Sequence, residues 1–301
     1  MKKEICPLCN SSENQQIESK IVFGGKKDDK YLFCEKCDLY YLFPFRNQLE
    51  LDKFYKYQFE EFMENRSGED SNWADADKHS EISQRDANRR ISFLQNQLEK
   101  SHNVLEVGAS TGFMIDTVKN LYPKINCIAI EPSNHFCNFM TNKGIEAYQS
   151  SELIPKNKKF DLIMHFFVIA HVIDFKSFLT EYYDKLNIGG KMIFETPSAT
   201  DPLRSLYNIP EFNNFYWQVA HLVSFTNKSM EKLLEEMGYK YKIYPHQRYD
   251  LSNHMVWMQT GKAGGRNKYS HIFSEDLENE YKNNLEQNWK CDTIIVEIEK
   301  I

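Results

Sequence analysis

A chain of 301 residues with 41% hydrophobic and 14% aromatic side chains has apolar material for a large globular domain plus a small appendage, which excludes a disordered, collagenous or coiled-coil rod. A net charge of −6 gives the molecule as a whole no electrostatic footprint for nucleic acid or an anionic membrane. No apolar run follows the basic start, the most apolar internal stretch (163–173) is too short for a membrane span, and seven cysteines without a leader point to a reducing cytoplasm.

In chain order, Cys6-x2-Cys9 and Cys34-x2-Cys37 come first, two pairs 24 residues apart that each supply half of a tetrahedral Zn²⁺ shell. Four thiolates leave no open position for a catalytic water, so the expectation is a structural zinc ribbon over residues 1–45. Seven lysines balance seven acids there, which argues for a scaffold and against a nucleic-acid-binding ribbon. Residues 46–100 read as a helical lid or linker. Phe54, Tyr55, Tyr57, Phe59 and Phe62 are expected to pack, and nine acids against three bases in 60–86 suggest a solvated face or lid. Ile91, Leu94 and Leu98 then mark a helix from about Ile82 to Lys100.

From residue 103 strands and helices alternate, which predicts an α/β fold. NVLEVGASTGF gives a buried strand (Val104–Val107), a small-residue loop (Gly108–Gly112) and a helix from Phe113; INCIAIEPS gives a second strand ending at Glu131. An acid at the end of the second strand of such a unit is placed to hold the ribose hydroxyls of an adenosine-type cofactor. The loop lacks the third glycine of a dinucleotide site, and Glu106 stands two residues before its first glycine. A carboxylate there repels a pyrophosphate and suits a cationic cofactor, which favours S-adenosylmethionine (SAM) over NAD.

On VLEVGASTGF (104–113), IAIEPS (128–133), the segment 160–198 and AHLVSFTNKSMEKLLEEMGY (220–239), the chain resembles the class I SAM-dependent methyltransferases. With the cysteine pairs it is similar to the zinc-ribbon-bearing branch that includes sugar C-methyltransferases and polysaccharide-locus methyltransferases. The resemblance implies a Rossmann-like, doubly wound, mostly parallel seven-stranded sheet over residues 101–301, with acceptor-binding insertions at about 200–270. It places Glu106, Gly108, Ala109 and Gly112 around the methionine part of SAM and Glu131 at the ribose diol. Ser110, Phe113, Pro132 and His165 lie in the same matched segments and complete the expected cofactor set. His171 falls where the family has a Glu-His pair, with Ala170 at the Glu position; Gly189 and Gly190 fall at the turn before strand five.

Methyl transfer is an in-line displacement that needs alignment and, for a hydroxyl acceptor, a base. His221 matches the family's histidine before the Ser-Phe-Thr helix start, and an ordinary histidine titrates near neutrality. Gln218 and Ala220 replace the tyrosine and glutamate that accompany it in the sugar C-methyltransferases, which favours O-methylation. Tyr216, Trp217, Tyr249 and Trp257 offer flat faces to a sugar or base, while Gln247, Arg248, Asn253 and His254 form a polar cluster in which Arg248 is suited to a phosphate or carboxylate. A helix over Asp276–Trp289 and a sheet-completing strand over Thr293–Ile298 are predicted, and Cys127, Cys137 and Cys291 read as buried small hydrophobes.

The reading is a SAM-dependent methyltransferase with structural Zn²⁺, acting on a small, sugar-linked or phosphorylated acceptor in surface-polysaccharide or natural-product assembly. No nucleic-acid partner is expected, and a monomer and a dimer stay open. Two alternatives stand beside it: an NAD-dependent oxidoreductase or epimerase on a Rossmann-type fold, and a non-catalytic zinc-ribbon binding protein.

Overall fold

The paired cysteines sit on a small antiparallel sheet. In the computed structural model, which describes residues 3–67 and 80–301, β1 (Gln15–Ser19), β2 (Lys30–Cys34) and β3 (Leu39–Phe43) form consecutive hairpins. Three helices follow: α1 (Gln48–Tyr57), α2 (Phe59–Ser67) and α3 (Ser80–Leu98). The chain turns helical at Gln48 because Asn47 and Glu50 cap each other's backbone N–H groups, at 3.0 and 2.9 Å. The acidic stretch 60–86 falls partly outside the described residues.

The main sheet is built by β4 (Asn103–Val107), α4 (Phe113–Leu121), β5 (Asn126–Ile130), α5 (Asn134–Asn142), β6 (Glu146–Tyr148), β7 (Phe160–Phe166), α6 (Phe175–Lys185) and β8 (Leu186–Pro197). After α7 (Pro202–Ser205) and α8 (Pro210–Tyr216) come β9 (Val223–Ser224), α9 (Asn227–Glu236), β10 (Lys240–His246), α10 (Leu251–Thr260), α11 (Glu275–Gln287) and β11 (Thr293–Glu299). The seven strands run in the order β10-β11-β8-β7-β4-β5-β6. All the pairings from β8 to β6 are parallel, while β11 runs antiparallel between β8 and β10. The last strand therefore completes the sheet from inside it.

Strands buried on both faces need near-continuous apolar runs, and the central strands have them. Leu105, Val107, Ile130, Ile163 and Phe194 pack against Phe175 and Leu179 of α6 and Met230 and Leu233 of α9. On the other face Val104, Ala129, Met164 and Ile193 meet Leu94 and Leu98 of α3, Ile115 and Val118 of α4 and Met140 of α5. Each of these side chains larger than alanine contributes roughly 1.5–3 kcal/mol.

The ribbon is continuous with this core: Cys6, Leu8, Leu32, Leu39 and Tyr41 belong to the same buried cluster as α6 and α9. Its sheet also gains β9, which pairs with β3 through Tyr40–Ser224 and Tyr41–Val223. Strand order reverses between β4 and β7, and their carboxyl ends open the crevice where α/β sheets bind ligands. Among the described residues no helix is long and apolar enough to cross a membrane.

Candidate functional site

At the end of β4 three of the five loop residues are left-handed: Gly108 (φ 72°), Ser110 (φ 51°) and Gly112 (φ 75°). A Cβ on Gly108 would lie 2.6 Å from Val168 Cγ2, and one on Gly112 2.6 Å from Met140 Cγ, so both glycines are required by space as well as by φ. The loop's N–H groups are largely committed. Gly108 and Ala109 donate to Ile130 O (2.8 and 3.1 Å), Ser110 to Glu131 Oε2 (2.9 Å) and Gly112 to Ala109 O (2.8 Å). A dinucleotide pyrophosphate needs such groups free at the helix start.

Glu131 faces this loop half-buried, its other oxygen accepting from Ser133 N at 3.0 Å; burial raises its pKa, while the two N–H donors oppose that rise. Pro132 beside it is exposed, and Phe113 is half-buried at the start of α4.

Glu106 behaves differently from the sequence expectation. Its carboxyl is 4% exposed, accepts from Ile115 N at 2.9 Å, and is pushed up to about 8 by burial, against the pull of Arg90. It fixes the first turn of α4 from inside and presents no surface to a ligand.

His165 is a second correction. It is fully buried on the α6 side of the sheet, stacked on Phe194 at 4.3 Å, with neither ring nitrogen hydrogen-bonded to a described residue. Burial lowers its pKa to about 3.

Beyond β7, His171 and His221 meet with ring centroids 4.9 Å apart, both half-buried. His171 Nδ1 lies 2.8 Å from Ala220 O and 2.7 Å from Tyr55 Oη. A carbonyl only accepts, so Nδ1 carries the proton and Nε2 keeps the lone pair. Burial pushes His171 down to about 4, and burial, His171 and Arg66 together push His221 well below its ordinary range. The near-neutral titration expected of His221 is thus replaced by a ring held neutral. The amide of Gln218 approaches its two nitrogens at 3.2 and 3.4 Å.

The ribbon positions this segment. Tyr31, fully buried, donates to the His221 and Gln218 carbonyls, and Leu42 N donates to Leu222 O at 2.9 Å. Trp217, 1% exposed, lies against Tyr31 (4.5 Å) and Tyr40 (5.2 Å), and Tyr216 donates to Ser198 O at 2.8 Å. Both aromatics are packing residues, not the open stacking faces expected.

The same holds for most of the polar cluster. Gln247 (2% exposed) bonds Asp292 Oδ2 at 2.8 Å, Asn253 (4%) bonds Gly264 O at 2.6 Å, and His254 (1%) faces Tyr281, its pKa lowered to about 4 by burial. Together these tie α10, α11 and β11. Trp257 is sealed against Phe212. Arg248, its side chain 17% exposed, and Tyr249 are only partly buried, with the Arg248 guanidinium 4.3 Å from the ring centre of Phe167 at the end of β7.

Sequence reasoning missed Glu195. Fully buried at the end of β8, it is gripped by Arg89 through both guanidinium nitrogens and by Arg90 Nε at 3.0 Å, and those cations hold it at about 2 despite burial. Its signal was available: a lone acid in the apolar run MIFETP requires a cation, and α3 carries adjacent arginines. Tyr55, Arg66 and Arg266 were also missed.

The Sγ atoms of Cys6, Cys9, Cys34 and Cys37 lie within 4.8 Å of one another, with Cys6–Cys37 at 3.9 Å and Cys9–Cys34 at 3.8 Å. A tetrahedron with Zn–S bonds of about 2.3 Å has edges of about 3.8 Å, so the spacing fits that ion.

Residues 79–242, more than half of the chain, match the family model described as a methyltransferase domain. No curated protein matches the chain. A SAM-dependent methyltransferase from Archaeoglobus fulgidus is similar in structure over 81% of this chain and 100% of its own, at 18% identity and a TM-score of 0.52. The plantazolicin methyltransferase BpumL, in complex with S-adenosylhomocysteine (SAH), is similar over 83% of this chain and 94% of its own, at 15% identity and a TM-score of 0.51. For the related BamL those shares recur, at 14% identity and a TM-score of 0.51. The structural likenesses speak for the fold, and the family match decides against the nicotinamide alternative. The chain belongs to the methyltransferase domain family, on the fold of SAM-dependent enzymes.

Proposed function

We propose that the crevice at the ends of β4, β5 and β7 binds SAM and that the chain methylates a hydroxyl of a small, sugar-linked or phosphorylated acceptor. The observation that carries this is the committed loop: Ile130 O and Glu131 consume the N–H groups a pyrophosphate would need, while Glu131 stays half-exposed with oxygen lone pairs left for a ribose diol. Gly108, Ala109, Ser110 and Gly112 would line the methionine side. When bound, SAM supplies an electrophilic methyl on a cationic sulfur. The four cysteines would hold a structural Zn²⁺ that fixes the ribbon.

The residues then divide the work. His221, neutral at pH 7, takes the acceptor's hydroxyl proton as the carbon–oxygen bond forms, the acceptor hydroxyl replacing the long Gln218 contact. A base of such low pKa is effective only in concert with the transfer, when the hydroxyl becomes acidic. His171, oriented by Ala220 O and Tyr55, sets the position of the His221 ring. Ala170, Gln218 and Ala220 supply none of the carboxylates or the phenol expected at those positions, and the one phenol beside the pair, Tyr55, is spent on His171 Nδ1, which favours oxygen over carbon as the acceptor atom.

Calorimetry with SAM, SAH and NAD tests the reading: the two sulfur compounds bind in the micromolar range and NAD does not, whereas NAD binding without SAH binding overturns it. In a screen of nucleotide-linked sugars and sugar phosphates scored by SAH release, His221→Ala lowers turnover by about 10² to 10⁴. A loss below about fivefold would reduce His221 to a structural residue.

A further inference from the structure

Around the Tyr249 ring, two guanidinium groups, those of Arg248 and Arg266, make little use of their hydrogen-bond donors among the described residues. Arg248 Nε is sealed from solvent and has no hydrogen-bond partner among the described residues; Asp292 Oδ1, its nearest carboxylate oxygen, is 3.6 Å away. Asp292 is occupied elsewhere. Its Oδ2 accepts from Gln247 Nε2, Arg248 N and Tyr249 N at 2.8, 2.9 and 3.0 Å, and its Oδ1 from Thr293 Oγ1 at 2.6 Å.

The Arg248 guanidinium is otherwise held by its flat face, over Phe167 at 4.3 Å and Tyr249 at 5.2 Å. Arg266 lies 5.4 Å from the same Tyr249 ring and, among the described residues, makes a single hydrogen bond, at 3.5 Å, to the Arg248 carbonyl. Its pKa is lowered by burial and by the charge of Arg85, against the pull of Asp86. Glu195, the fully buried acid of the same region, is taken by Arg89 and Arg90. Asp86 influences both Arg248 and Arg266, and itself lies 3.8 Å from Arg89 Nε.

Against the pull of burial, Tyr249, Asp292, Asp86 and Glu195 favour the Arg248 charge, yet none of the described residues meets its Nε donor, and a phosphate oxygen is suited to take such an unspent guanidinium edge. Phe167, under the Arg248 guanidinium, immediately precedes Val168, whose side chain abuts Gly108 and whose carbonyl accepts from His171 N at 2.9 Å, so the arginine pair lies beside the strand end that carries the glycine loop and the histidine pair. We infer that Arg248 and Arg266 form a phosphate-binding subsite, by which the acceptor is anchored through a phosphate or diphosphate while its hydroxyl lies at His221. This rests on the proposed methyltransferase site and specifies its acceptor class. It also gives the segment 261–268 a purpose: Asn253 Nδ2 bonding Gly264 O at 2.6 Å and Asp250 Oδ2 accepting from Asn267 N at 2.7 Å hold Arg266 on both sides.

The test is a calorimetric titration of the metal-loaded, SAH-saturated protein with pyrophosphate, inorganic phosphate and acetate at low salt. Pyrophosphate binding is expected, weakening as salt rises. Arg248→Gln and Arg266→Gln should each weaken it by about tenfold or more, as for loss of a charge-assisted hydrogen bond. SAH affinity should stay within about threefold in both variants, with unchanged unfolding midpoints confirming that they fold. Arg266→Lys should retain part of the affinity, because it keeps the charge and loses the fork.

Preference for pyrophosphate over phosphate would point to a diphosphate-linked acceptor, and equal binding to a monophosphate; either supports the subsite. Acetate binding as tightly as phosphate, no binding of either phosphate probe at about 10 mM, or variants as tight as the parent would overturn it. A tenfold loss of SAH affinity in Arg248→Gln would also overturn it, by assigning that arginine to the cofactor. If the parent binds pyrophosphate but no SAH, the subsite stands and the methyl-donor reading falls.

Discussion

The loop after β4 and the histidine segment before β9 border one crevice, yet they are held over very different distances along the chain. The loop is closed locally: Ile115 N reaches Glu106 nine residues away, and Ser110 N reaches Glu131 at 21. The histidine segment is held by Tyr31, 190 residues from His221, and by the pairing of β3 with β9. One βαβ unit is enough to build the proposed cofactor end, whereas the proposed acceptor end needs the ribbon, the segment around Trp217 and the insertion between β10 and β11 to come together. Damage to the ribbon should therefore reach His221 before it reaches Glu131.

The sharpest way to break that contrast is Cys37→Ser. If the ribbon holds Zn²⁺, this variant loses metal by atomic emission, and the β3–β9 ladder loses amide-exchange protection. No other single substitution should cost as much, since such sites contribute about 10–16 kcal/mol of metal-coupled folding energy. Turnover should collapse while the Gly108–Gly112 amides stay protected; full activity in a metal-free variant would separate the ribbon from the acceptor end.

Trp217→Ala comes next, with an expected loss of about 3–5 kcal/mol in denaturant unfolding, as for a large aromatic removed from a core. A loss under about 1 kcal/mol accompanied by a raised acceptor KM would return Trp217 to a ligand-stacking role.

The same contrast explains how much of the molecule is legible in its sequence. Gly108, Gly112 and Glu131 are readable because strand, glycine turn and terminal acid follow one another within 30 residues, and local backbone geometry requires them. The clustering of the four cysteines is readable from the spacing of the two pairs alone. Trp217, Gln247, Asn253 and His254 are not, because an aromatic or an amide serves core and binding surface equally well. Which one it serves is decided by partners such as Tyr31 and Asp292, 186 and 45 residues distant from Trp217 and Gln247. Glu106 reads as facing the crevice because alternation does not reveal that its side chain meets the start of α4.

On the loop side, Glu131→Ala should weaken SAH by about 1–3 kcal/mol, the usual loss for a charged hydrogen-bond partner. It should leave pyrophosphate binding at Arg248 and Arg266 untouched. Equal weakening of both ligands would mean that the two ends are one coupled site.

The smallest effect concerns His165, whose two bare ring nitrogens lie inside the sheet. Its folded pKa, lowered by burial to about 3, is below the unfolded value near 6.5, so between those limits the unfolded chain binds the extra proton. Stability from this group is therefore complete above about pH 6.5 and falls on acidification by up to about 1.4 kcal/mol per pH unit. Glu106, raised to about 8, acts with the opposite sign over about pH 4.5–8, since there the folded state keeps a proton that the unfolded state has lost. His171 and His254 share the sign of His165. A single pH profile thus mixes these groups, and the difference between parent and His165→Phe isolates one of them. The phenyl ring keeps the stack on Phe194 and the edge contact with Phe178, and it removes two unpaired polar atoms. The variant should equal or exceed the parent at pH 7.5, and its advantage should widen steadily from pH 6.5 to pH 4.5 in urea unfolding. Parallel profiles would show that His165 finds a proton partner in the folded chain and that the α6 side of the sheet is wetter than its packing indicates.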